Sequence, residues 1–170
     1  NLFWQQKIRN IGFHKEGQMW QSGKYKWDNE KTWDPKEGLE NRLEKHREQR
    51  AKTIIPVIGE HIDLNENSRI LEVGCGFGVT LNELQKQYRC KVYAIEPSDE
   101  AQKVIKDFGT IKFLARFAED LKDIGKNGKK FDAIIFSHAL ENTLDPLMVM
   151  RFAKACLNKG GIIYVQTPNL

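Results

Sequence analysis

Cysteine is scarce in this chain, and nothing suggests that what there is pairs. Cys75, Cys90 and Cys156 are odd in number and widely spaced over 170 residues. No CxxC or Cys/His cluster accompanies them, which argues against a disulfide framework or a structural zinc site and predicts reduced thiols in a cytoplasmic protein. Long apolar runs are also missing. No stretch approaches the roughly 20 residues of a membrane span, so no membrane partner is expected, and the first residues lack a signal-peptide core. Excess charge of one sign is equally absent. Lys and Arg number 27 against 23 Asp and Glu, with the signs interspersed, which argues against a nucleic-acid partner. The 40% hydrophobic and 29% charged residues describe ordinary globular protein with enough chain for one buried core.

What is plentiful is aromatic residues near the start. All four tryptophans, Trp4, Trp20, Trp27 and Trp33, fall within residues 1–35, with Tyr25 and several lysines interleaved. Neither helical nor strand periodicity persists there, yet disordered segments are poor in aromatics. Residues 1–35 are therefore expected to form an irregular arm or short helices packed on a main domain over 36–170. Tyr25 and Trp27, among lysines, suit an anionic or sugar-like substrate. The same aromatics would equally cover a hydrophobic face or form an oligomer contact. Asp34-Pro35 starts a helix whose apolar positions reach about residue 60, with Pro56 expected to kink or end it.

From residue 69 onward, strand and helix patterns alternate. Strands are expected at 69–73, 91–95, 111–115, 131–136 and 161–166, with a helix capped by Ser98 and another running from Asp145-Pro146 to about Asn158. This is an α/β chain, a Rossmann-like doubly wound parallel sheet with helices on both faces. The most specific segment follows the first strand, where Glu72 precedes Gly74, Gly76 and Gly78. Glycines let a backbone turn with positive φ and approach a ligand closely. The spacing differs from the dinucleotide fingerprint G-x-G-x-x-G, because its third glycine position holds Val79. A carboxylate at Glu72 suits a ligand bearing an amine and a cationic centre.

This acid-x-G-x-G-x-G pattern resembles motif I of the class I S-adenosylmethionine (SAM) methyltransferases. Four further segments, in order, strengthen the resemblance over about 65–169. The second strand ends in Glu96-Pro97, 18 residues after Gly78, where the family's acid accepts the ribose hydroxyls. The third strand leads to Phe117, Ala118 and Glu119 at the adenine loop. Many relatives carry Asp where Phe117 stands, so adenine recognition would pass to backbone near Ala118, to Glu119 or to Phe117 packing. The fourth strand leads to Ser137, His138 and Glu141 in a loop lining the transfer site, and residues 160–169 match the fifth. The cofactor implied is SAM, bound by Glu72, Gly74, Cys75, Gly76, Gly78, Glu96, Pro97, Phe117, Ala118, Glu119 and Ser137.

The resemblance also implies the chemistry, an in-line displacement at the sulfonium methyl in which the protein supplies proximity. His138 is the candidate base, against a purely structural role, and His138 and Glu141 face the substrate with Tyr25 and Trp27, on the arm over 1–35 that the resemblance makes a lid. Some relatives hold a divalent ion with E-x-x-E-H in this loop. His138, Glu141 and Asn142 occupy those positions here, so no metal site is expected. The complete sheet of the family has two more strands, and the chain up to Leu170 is expected to lack them as part of a longer protein. The leading expectation is an enzyme that methylates a small-molecule acceptor such as a sugar, a nucleotide-sugar or another metabolite. A non-catalytic SAM-binding regulator and an RNA or protein methyltransferase remain as alternatives.

Overall fold

The structure, a computed structural model, describes Gln49 and residues 52–167. The aromatic arm, the helix start at Asp34-Pro35, and Tyr25 and Trp27 lie outside the described residues. Five parallel strands form one sheet: β1 (Arg69–Val73), β2 (Lys91–Ile95), β3 (Lys112–Ala115), β4 (Phe131–Ser137) and β5 (Leu157–Gln166). Helices α1 (Val79–Tyr88), α2 (Asp99–Asp107), α3 (Leu121–Lys126) and α4 (Pro146–Ala155) connect them. The spatial order is β3-β2-β1-β4-β5. From β1 the chain first builds outward to β3, then returns to β4 on the other side. That reversal between β1 and β4 opens a crevice at the carboxyl ends of the strands, where open α/β sheets bind ligands.

Alternation along the strands sorts side chains into two cores. Ile70, Val92, Ala94, Ala133 and Ile135 pack with Leu81, Leu84 and Ile105 of α1 and α2 and with Ile54, Ile55 and Ile58. Leu71, Val73, Tyr93, Ile95, Ile134 and Phe136 pack on the opposite face with Leu121, Val149 and Ala153 of α3 and α4. The sheet is therefore doubly wound, as expected. The predicted caps also form. The Ser98 hydroxyl accepts from Ala101 N at 3.3 Å, and the Asp145 carboxylate accepts from Met148 N at 2.9 Å ahead of Pro146.

Two expectations need adjustment. Of the two outcomes expected at Pro56, a kink or a helix end, the end does not occur: residues 52–59 are helical, and Glu60 N donates to Pro56 O at 3.0 Å. Proline removes one donor, while Ile54, Ile55 and Ile58 hold the segment by burial at 2% exposure or less. Second, α4 stops at Ala155, three residues short of the predicted end, and β5 begins at Leu157. Gly160 and Gly161 sit in an irregularity of β5, where the pairing jumps from Phe131↔Leu157 to Ala133↔Ile162. A Cβ on Gly161 would lie 3.0 Å from the carbonyl oxygens of Phe131 and Asp132. The glycine pair lets one strand bulge against its neighbour. Among the described residues, no helix is long and apolar enough to cross a membrane.

Candidate functional site: the carboxyl ends of β1, β2 and β4

The turn after β1 has positive φ at all three glycines, +69° at Gly74, +55° at Gly76 and +71° at Gly78. Their surroundings differ. A Cβ on Gly74 would meet the Ala139 methyl at 2.6 Å, and one on Gly78 would meet Ile111 Cδ1 at 2.9 Å. A Cβ on Gly76 would meet nothing within 4 Å. The outer two glycines therefore serve packing, and Gly76 alone offers bare backbone to open space. Gly74 N donates to Ile95 O at 2.8 Å and the weaker Cys75 N contact to the same oxygen is 3.4 Å, so the turn is sewn to the end of β2.

Glu96 closes that seam. Its side chain is 2% exposed, and its carboxylate accepts from Gly76 N at 2.7 Å through Oε2 and from Ser98 N at 2.9 Å through Oε1. Burial pushes its pKa up, and the amides of Ser98 and Gly76 pull partly back. Each oxygen keeps a further lone pair for an incoming hydroxyl. Glu72, 1% exposed, accepts from Thr80 Oγ1 at 3.2 Å in the first turn of α1. Both carboxylates act on Cys75, buried, whose thiol is held well above its ordinary pKa by burial and then by Glu96 and Glu72. Such a thiol is inert, and its Sγ faces Gly76 O at 3.6 Å.

The strand ends beyond this centre are linked around the rim. The Phe117 backbone is closed in its own turn, its N–H bonded to Asp120 Oδ2 at 3.1 Å and its O to Asp120 N at 3.1 Å. Ala118 is buried in the α3–α4 core. Glu119 is engaged with the loop after β4, accepting from Leu144 N at 3.1 Å. Ser137 ends β4 and approaches Gln166 Oε1 at 3.4 Å, while His138 N donates to Gln166 O at 2.8 Å. His138 has φ +53° and an exposed ring, with Nδ1 3.9 Å from Glu141 Oε1. Burial raises the Glu141 pKa, and its own backbone amide and then His138 pull it only partly back. The Asn142 amide turns back to His138 O at 3.1 Å.

The structure thus brings Glu72, the glycine turn, Glu96 and Pro97 together at one crevice, with Ser137, His138 and Glu141 on the loop that touches Gly74 through Ala139. Tyr25 and Trp27 lie outside the described residues. Sequence reasoning missed Thr80, Gln102, Arg116 and Gln166. Gln102 had one signal, a polar residue on an apolar helix face between Ala101 and Ile105. Arg116 and Gln166 have partners 19 and 29 residues away, and Thr80 bonds Glu72 eight residues back across the glycine turn.

An open α/β sheet with a glycine turn at the switch point and an acid closing the second strand defines a nucleoside-binding class of fold. Comparison narrows the class. A family model described as a methyltransferase domain matches residues 43–170, and the chain belongs to that family. The ubiquinone biosynthesis O-methyltransferase of Haemophilus ducreyi is 32% identical over 108 residues, covering 59% of this chain and 45% of the relative. Its namesake in Xylella fastidiosa is 31% identical over 107 residues, covering 60% and 42%. The chain thus spans less than half the length of these curated relatives. The fold is shared with the plantazolicin methyltransferase BpumL, solved with a monoazolic desmethylPZN analog and SAH (TM-score 0.59, 17% identity, 92% of this chain and 58% of that one). It is also shared with a SAM-dependent methyltransferase from Thiobacillus denitrificans solved with S-adenosylhomocysteine (TM-score 0.51, 20% identity, 64% and 45%).

Proposed function

We propose that this chain carries the cofactor-binding domain of a SAM-dependent methyltransferase that methylates an oxygen of a small-molecule acceptor. The observation that carries the reading is Glu96, a buried carboxylate at the end of β2 held by Gly76 N at 2.7 Å beside the open space over Gly76. A nucleoside fits that donor set. Glu96 would accept the ribose hydroxyls, the bare Gly76 backbone would let the ligand approach, and Glu72 with the turn would face the amino-acid end. Phe117, Ala118 and Glu119 border the adenine side, and the loop at Ser137 lies toward the acceptor.

Bound SAM supplies an activated methyl on a sulfonium with an excellent leaving group. The chain's own contribution is alignment of the acceptor oxygen behind that methyl and exclusion of water. A hydroxyl acceptor must lose its proton, and His138 is the group we assign to take it, with Glu141 near its other nitrogen. The oxygen acceptor is supported by the names of the curated relatives. A sugar or nucleotide-sugar is one form such an acceptor can take. The aromatic segment on which that form rested lies outside the described residues.

Calorimetric titration with SAM, S-adenosylhomocysteine and NAD tests the cofactor reading. Saturable binding of both adenosyl ligands but not NAD, weakened by Glu96→Ala, is the expected result. NAD binding, or adenosyl binding indifferent to Glu96→Ala, would remove the basis of the proposal.

A further inference from the structure

The short loop that carries Glu96 is held more completely than a surface loop requires. Glu96 N donates to Ala115 O at 3.2 Å, Ser98 O accepts from Gln102 N at 3.0 Å, and Ser98 N is bonded to the Glu96 carboxylate. The two carbonyls that remain are taken by side chains. Gln102 Nε2 donates to Glu96 O at 2.8 Å, and Arg116 Nη2 donates to Pro97 O at 2.8 Å. Pro97 has no N–H. Every backbone polar group from Glu96 N to Ser98 O therefore has a partner, drawn from α2, from the end of β3 and, for Ser98 N, from the Glu96 carboxylate itself.

Both side chains are placed for this purpose. Gln102 is 8% exposed on the face of α2 that also buries Ala101 and Ile105. A buried amide is costly there unless bonded, and Glu96 O is its acceptor. Arg116 spreads its planar fork over two acceptors, Pro97 O and, through Nη1, Asp99 Oδ1 at 2.8 Å. The Asp99 contact is exposed and screened, so it contributes little. The charge-assisted bond to Pro97 O is the stronger grip.

We infer that Arg116 and Gln102 are positioning residues that preset the Glu96 carboxylate for two vicinal hydroxyls of a ligand. The inference rests on the reading of Glu96 as the ribose acceptor. A diol needs both carboxylate oxygens in one fixed plane. Fixing the loop during folding spares that ordering cost when the nucleoside binds. Asp99 orients the free arm of the Arg116 fork, which a lysine, with one point charge, would not reproduce.

The test compares S-adenosylhomocysteine with its 2′-deoxyribosyl analogue, by calorimetry on the whole chain. Wild type is expected to prefer the ribosyl ligand. Arg116→Met, which keeps the aliphatic stem, is expected to weaken that ligand roughly tenfold, the equivalent of one charge-assisted hydrogen bond of about 1.4 kcal/mol, and to leave the deoxy analogue nearly unchanged. Arg116→Lys should recover part of the loss, and Asp99→Asn should cost less than about twofold. Without any ligand, the Ser98 amide should exchange its hydrogen faster in Arg116→Met at an unchanged unfolding midpoint. Equal weakening of both ligands, or none, would overturn the positioning role while leaving the cofactor reading intact. Failure of the wild-type chain to bind either ligand would overturn both.

Discussion

Alanine substitutions at the glycines of the turn separate packing from ligand approach. At Gly74, an added Cβ would lie 2.6 Å from the Ala139 methyl, about 1 Å inside ordinary carbon contact. Overpacking of that size costs about 1–3 kcal/mol, and alanine at φ +69° adds about 1–2 kcal/mol. The stiffer unfolded chain returns about 0.4–1 kcal/mol. Gly74→Ala should therefore lose about 1–4.6 kcal/mol, centred on about 3, a fall in Tm of roughly 10 °C for a chain of this size. At Gly76 only the backbone strain applies, because nothing lies within 4 Å, so the loss should be about 1 kcal/mol. Its methyl would instead enter the space assigned to the nucleoside. Thermal unfolding followed by circular dichroism, paired with calorimetric titration of S-adenosylhomocysteine, reads both effects. The expected pattern is a large stability loss in Gly74→Ala and, in Gly76→Ala, a small one with at least tenfold weaker binding. A Gly76→Ala chain that binds normally, or unfolds as early as Gly74→Ala, would refute the division of roles.

Other consequences are open to direct measurement. Because burial raises the Glu96 pKa, S-adenosylhomocysteine affinity should fall with decreasing pH before ordinary carboxylates titrate; titrations at stepped pH check this, and Glu96→Gln should flatten the curve. The stability linkage has the opposite sense. Glu96 binds its proton more tightly folded than unfolded, so its contribution favours the fold below the unfolded pKa and is lost as pH rises through the folded value. His138→Asn tolerates the φ of +53° and should lower kcat about 10²–10⁴-fold without changing S-adenosylhomocysteine affinity, as expected for loss of a general base; an unchanged rate with a hydroxyl acceptor would assign the base elsewhere. Gly161→Ala should destabilise by about 1–3 kcal/mol through contacts of 3.0 Å with two carbonyl oxygens, measured by denaturant unfolding.

Local rules made much of this molecule legible. Ser98 and Asp145 cap α2 and α4 because a side-chain oxygen three residues before a free N–H finds it without tertiary help. The order of strands and helices, the three glycines with positive φ and the acids Glu72 and Glu96 were read from spacing and residue chemistry within about 30 residues. Where local signals misled, packing had the deciding energy. Three buried isoleucines carry the helix past Pro56, and Gly160-Gly161 follow a helix but belong to a strand that pairs with β4.

The sequence by itself determined which segments alternate between strand and helix and where the chain turns tightly enough for a ligand to approach its backbone. Periodicity, capping and glycine conformation all act over a few residues. Tertiary structure alone decided that β4 lies beside β1, that Gly74 is closed off by Ala139 while Gly76 stays open, and that Arg116 reaches back 19 residues to Pro97 O. Those pairings are set by which buried surfaces fit together across the sheet, and no short-range pattern encodes that fit.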